Sequence, residues 1–128
     1  MARQRDLKVE LARVTHPSNI QSNLWASIDD EGLVIEGQDL GSGVEAIWGD
    51  LDYEYWLVVA PKYLDRVLEQ LALELDRPIE VLDSPGERNV LLLDLVKGAW
   101  ERGRFATDVD FRQWLYSIRV PSKFSSYA

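Results

Sequence analysis

The chain has 128 residues, 22 acidic against 14 basic, giving a formal charge of −8 at pH 7, and it has no cysteine. That length fits a single domain, 1–128, which buries roughly two thirds of the surface its unfolded form exposes, and 46% hydrophobic residues with five tryptophans belong to a folded chain. Acidity with scattered Lys and Arg argues against nucleic acid and anionic membranes, while the missing cysteines remove disulfide scaffolds, thiolate nucleophiles and cysteine zinc sites.

In chain order, Leu7, Val9 and Leu11 alternate with Lys8 and Glu10, the period of two of a half-buried strand over 7–14. His16-Pro17-Ser18-Asn19 breaks it. Leu24, Ala26 and Ile28 repeat the alternation over 24–28, and it resumes over 33–39 after Asp29-Asp30-Glu31-Gly32. A four-residue polar connection ending in Gly reads as a β-hairpin, with its three carboxylates exposed at the tip. Gly37, inside the second of these strands, signals a bulge or a close backbone approach.

The connection from Leu40 to Asp50 holds three glycines and Trp48, with one helical turn expected near Val44 to Ile47. Connections of this length are often functional. Tyr53, Tyr55, Leu57 and Val59 alternate with Glu54, Trp56 and Val58, the strongest strand pattern in the chain (53–59), expected at the centre of the sheet. On such a strand Tyr53 and Tyr55 share one face, and Glu54 and Trp56 share the other.

Pro61 opens a helix over 61–75 whose buried stripe is Leu64, Val67, Leu68, Leu71 and Leu75. A short apolar piece follows from Ile79 to Leu82. Ser84, Pro85 and Glu87 open a second helix over 85–102, with Leu91, Leu92, Leu95, Val96 and Ala99 inward and Asp94, Lys97 and Glu101 positioned to pair on the wet side. Thr107 and Asp110 open a third over 108–119, with Phe111, Trp114, Leu115 and Ile118 inward. The tail has Phe124 and Tyr127 to pin it and no clear period. Strands first and helices later indicate an α+β fold, a four-stranded antiparallel sheet with three helices packed mainly on one face.

The run Ile35-Glu36-Gly37-Gln38-Asp39-Leu40-Gly41, followed by Gly49 and Tyr53-Glu54-Tyr55-Trp56, resembles a family of small acidic, uncharacterised bacterial proteins, mostly actinobacterial. The similarity runs from about Leu24 to the C-terminal region. It implies a bacterial cytosolic domain and carries over no functional residue.

From Val14 to Pro61 there is no Lys or Arg, but nine acids: Asp29, Asp30, Glu31, Glu36, Asp39, Glu45, Asp50, Asp52 and Glu54. Removing them leaves 13 acidic residues against 14 basic ones. The acidity is local, the pattern of a chain that builds one acidic face. A metal site could draw on Glu36, Asp39, Asp50, Asp52 and Glu54, but the calcium-loop spacing is absent, and no metal or cofactor is expected. Paired carboxylates with Trp25, Trp48 or Tyr55 could serve a sugar. His16, the only histidine, has no nucleophile motif near it, and no G-x-S-x-G, Walker or dinucleotide fingerprint occurs.

The leading expectation is a non-enzymatic, acidic protein-binding domain of the immunity or inhibitor type. It would engage a basic protein through Glu36, Asp39, Glu45, Trp48, Asp50, Asp52 and Glu54, since aromatics supply anchor area and charges speed encounter. The alternative is a small-molecule or carbohydrate-binding domain, at most a weak hydrolase, with the 40–50 loop as a pocket rim. No apolar segment follows the N-terminal arginines and no run approaches a membrane span, so a cytoplasmic location is expected, with neither membrane nor nucleic acid as partner.

Overall fold

The computed structural model describes residues 8–17, 19–41, 52–79 and 84–127. Among these residues the period-two stretches form one antiparallel sheet of five strands in chain order: β1 (Lys8–His16), β2 (Ile20–Asp29), β3 (Gly32–Leu40), β4 (Asp52–Val59) and β5 (Lys123–Tyr127). The sheet therefore has one strand more than the sequence pattern predicts. β5 escapes that pattern because Phe124 and Tyr127 lie an odd number of residues apart, so they fall on opposite faces and leave no alternation to read. Phe124 turns inward opposite Leu57, and Tyr127 stays 69% exposed. β5 also displaces β4 from the expected centre; β3 is the middle strand.

The β2–β3 connection is tighter than the four polar residues imply. Asp29 and Gly32 still pair across the ladder, which leaves Asp30 and Glu31 as the turn, and Asp29 Oδ1 accepts from the Glu31 amide at 2.8 Å. The bulge lies not at Gly37 but in β1, where the register shifts between Glu10 and Ala12. After that extra residue Ala12 takes the place opposite Leu24, while Leu11 still packs on the core from the bulge. The expected strand start at Leu7 lies outside the described residues.

The helices are α1 (Leu64–Glu74), entered through a 3-10 turn at Pro61–Tyr63, α2 (Pro85–Glu101) and α3 (Asp108–Ser117). Ser84 accepts the Glu87 amide at the start of α2, and Thr107 and Asp110 form a reciprocal capping box on α3. The stripe Leu64, Val67, Leu68, Leu71 and Leu75 is buried, together with Leu92, Leu95, Val96 and Ala99 of α2 and Phe111, Trp114 and Leu115 of α3. Leu91 and Ile118 are only partly buried, and Leu93 and Trp100 join the core instead. Asp94 pairs with Arg77 at 3.2 Å, not along its own helix.

All of these side chains form one core with Leu24, Ala26, Ile28, Leu33, Ile35, Leu57 and Val59, so the helices pack on the face of the sheet that those strand residues share. Phe105, in the α2–α3 connection, meets Trp100, Phe111 and Trp114 at centroid distances of 5.2 to 5.4 Å, closing the corner with aromatic edges and faces. Two arginines finish helix ends from elsewhere. Arg102 donates to Leu75 O and Arg66 to Ile118 O, each at 2.8 Å, supplying carbonyls that a helix leaves unpaired.

Candidate functional site

β3 sorts the heptad residue by residue. Ile35 is fully buried and Gly37 faces the helices beside it, whereas Glu36 and Gln38 point to the opposite, outer face. Gly37 lies opposite Tyr55 of β4, and a Cβ there would fall inside the Tyr55 ring. Glycine is required at this position by close approach: the hydroxyl end of the tyrosine ring fills the space a side chain would take. Gly41 closes the run at φ +118°, where a side chain would also meet the Asn19 carbonyl.

Around Tyr55 the inner face turns polar. Its ring packs 5.7 Å from Tyr53 and 6.2 Å from Phe124. Burial pushes the Tyr55 hydroxyl well above the ordinary tyrosine range, and the charges of Asp108 and Asp39 push the same way. Burial likewise lifts the Asp108 carboxyl. Asp39 adds to that shift, while backbone amides at the start of α3 and Arg112 oppose it.

Asp39 accepts the Ser22 hydroxyl at 2.7 Å, and His16 Nε2 lies 3.0 Å from the same Ser22 oxygen. Ser22 has one proton and gives it to Asp39, so His16 donates to Ser22. In a hydrolytic triad the imidazole stands between serine and carboxylate and takes the serine proton. Here the serine stands in the middle with its proton held by Asp39, an arrangement that orders three side chains without activating a nucleophile.

The outer face carries different chemistry. The ladder aligns Glu10, Trp25, Glu36, Trp56 and Ser125 in one cross-strand row. Beside it run Ser27, Val34, Val58 and Lys123 on one side, and Asn23, Gln38, Glu54 and Tyr127 on the other. The aromatic and aliphatic side chains among them are not part of the hydrophobic core, Asn23 is buried, and among the described residues no helix covers the rows. Lys8 reaches across from β1, its ammonium 5.0 Å from the Trp25 ring centroid and 3.0 Å from Glu36 Oε1. Two hollows, of about 240 and 550 Å³, flank the row, and Lys8, Glu36 and Trp56 line both.

The residues singled out from sequence divide between these faces. Glu36, Asp52 and Glu54 share the outer face. Asp39 lies on the helix-bearing face because an odd number of residues separates it from Glu36, and alternation sends the two opposite ways. Glu45, Trp48 and Asp50, with the expected helical turn near Val44, lie outside the described residues. Among the described residues no three His, Asp or Glu side chains come together to hold a metal ion, and no helix is long and apolar enough to cross a membrane.

Tyr53 and Tyr55 share one face and Glu54 and Trp56 the other, as period two requires. Sequence reasoning missed the part played by Lys8, Ser22 and Asp108, which only cross-strand register and helix packing bring to these places. Trp25 and Trp56 did carry a signal: both occupy the polar parity of their strands, beside Ser27 and Glu54, where a core tryptophan does not belong. Comparison with family models, with curated proteins and with solved structures finds no match for this chain.

Proposed function

We propose that this chain is a non-enzymatic, acidic protein-binding domain of the immunity or inhibitor type, and that its outer sheet face is the surface that engages a basic partner. The observation that carries the reading is the row in which Glu36 stands between Trp25 and Trp56 on a face that no helix among the described residues covers. Large, stiff indoles supply contact area with little ordering entropy. Glu10, Asp29, Glu36, Asp52 and Glu54 outnumber Lys8, Arg13 and Lys123 on that face, which favours encounter with a cationic surface and disfavours an anionic one. Glu45, Trp48 and Asp50 join the proposed surface on sequence grounds.

The test is retention of proteins from the native host's lysate on the immobilised chain at low and high salt. A basic protein held at low salt, released at high salt and lost from a Glu36→Gln/Glu54→Gln bait, yet kept by Asp108→Asn on the other face, supports the reading. Equal retention by the doubly neutralised bait sinks it. The second reading, a carbohydrate or small-molecule site, draws on the smaller hollow, where Trp25 and Trp56 stand beside Glu36 and Glu54. Stacking is nearly indifferent to ionic strength, so a ligand whose affinity ignores salt favours that reading over the first.

A further inference from the structure

Lys8 is the most informative residue on the outer face. It comes from the edge strand, crosses to the middle of the sheet and, alone among the described cations, touches both an indole and a carboxylate, 5.0 Å from the Trp25 ring centroid and 3.0 Å from Glu36. Trp56 stands on the far side of Glu36, two strands from Trp25 and therefore about 10 Å away at the backbone. Glu36 therefore stands between the two indoles, one of which already has a cation over it. Glu54, which forms no ion pair with any cation among the described residues, adds a second negative charge along the same hollow.

We propose that the Trp25–Glu36–Trp56 row is a receptor for an arginine side chain of a basic protein segment, and that Lys8 is the internal stand-in this arginine displaces. The inference rests on the protein-binding reading above and names what the face recognises. Guanidinium suits the place better than ammonium. It is planar and weakly hydrated, stacks on aromatic faces and meets a carboxylate with two parallel N–H donors. Lys8 and Glu36 are both substantially exposed, at 45% and 34% of their side-chain surface, so their ion pair is weak and open to exchange. The charge balance of the face selects a cationic occupant, and the free chain already holds one there.

Titration with an oligoarginine peptide, followed by tryptophan fluorescence and calorimetry at low salt, tests the inference. Lys8→Met keeps the apolar stem and removes the competitor. It should tighten binding about three- to tenfold, the equivalent of one exposed ion pair and one cation–π contact. Lys123→Met removes the same charge elsewhere on the same face and should change affinity much less. Glu36→Gln should weaken binding about tenfold, and an oligolysine peptide of equal length should bind the wild type more weakly than oligoarginine.

If oligoarginine binds with clear salt dependence, but Lys8→Met behaves like Lys123→Met and Glu36→Gln like wild type, the receptor is refuted while an acidic binding face stands. Equal affinity for the two peptides refutes the guanidinium preference. Absence of binding by every form at low salt overturns both the receptor and the reading beneath it.

Discussion

Glu74 joins three parts of the helical layer through one carboxylate. Its Oε1 accepts from Arg104 Nε at 3.0 Å and Nη2 at 2.8 Å, and its Oε2 from Trp114 Nε1 at 2.8 Å and Gln70 at 2.9 Å. Glu74→Ala removes all four bonds. Exposed, Arg104 turns to water at a cost of about 0.5 kcal/mol. Trp114 is 5% exposed, and its indole N–H loses its acceptor in a buried place, at about 1–3 kcal/mol. The sum is about 2 kcal/mol. With an unfolding entropy of about 2.1 cal/mol/K per residue, this lowers Tm by about 7 °C in a chain of this length.

Urea unfolding gives the free energy directly, and a cycle with Trp114→Phe isolates the indole bond. The pH dependence adds a second check. Burial of Glu74 works to raise its pKa, but the bonds from Gln70, Trp114 and Arg104 outweigh it and hold the carboxyl below its ordinary value. The charge-dependent part of its stabilisation is therefore complete above the unfolded glutamate pKa of about 4.3 and lost as pH falls through the lower folded value. The difference between wild type and Glu74→Ala should narrow in acid. A loss under about 0.5 kcal/mol at neutral pH, or a difference that persists unchanged below the folded pKa, refutes this reasoning.

Three further outcomes follow from the fold. Gly37→Val forces the Tyr55 ring off β3 and should cost about 1–3 kcal/mol in urea unfolding, with near-ultraviolet circular dichroism reporting the displaced tyrosine. Asp108→Asn should stabilise the chain at neutral pH: the folded pKa of Asp108 is raised, so ionisation disfavours folding above that value, and the gain should vanish in acid below the unfolded pKa. Leu57→Ala, fully buried between β3 and β5, should cost about 2–5 kcal/mol.

Most of the architecture was legible in the sequence because long patterns state their period without ambiguity. The Tyr53 to Val59 alternation, the Leu64 to Leu75 stripe and the Ser84 and Thr107 caps each combine several residues that agree. β5 was not legible, because its one inward aromatic, Phe124, is too little signal for a strand whose formation depends on a partner, β4, far away in sequence. The bulge at Glu10 and Ala12 was hidden for a similar reason, since register belongs to the pair and not to either strand.

For the site, composition correctly located acidity in the segment from Val14 to Pro61 but could not resolve the face. Alternation assigns Glu36 and Asp39 to opposite sides, so a run of acids along one strand cannot form a single surface. The row of Trp25, Glu36 and Trp56 requires the registers of β2 with β3 and of β3 with β4 together. Lys8 enters only through the ladder of β1 with β2. Three separate short patterns therefore converge, and no one of them announces the result.

The most direct test of the outer face uses the indole Nε1–H signals in ¹⁵N-edited NMR spectra of the chain, recorded as oligoarginine is added. Trp25 and Trp56 lie on the outer face, whereas Trp100 and Trp114 are buried in the core, at 8% and 5% exposure. The account predicts saturable shifts of the Trp25 and Trp56 signals, reversed by salt, with Trp100 and Trp114 unmoved. Binding that leaves Trp25 and Trp56 in place would contradict it.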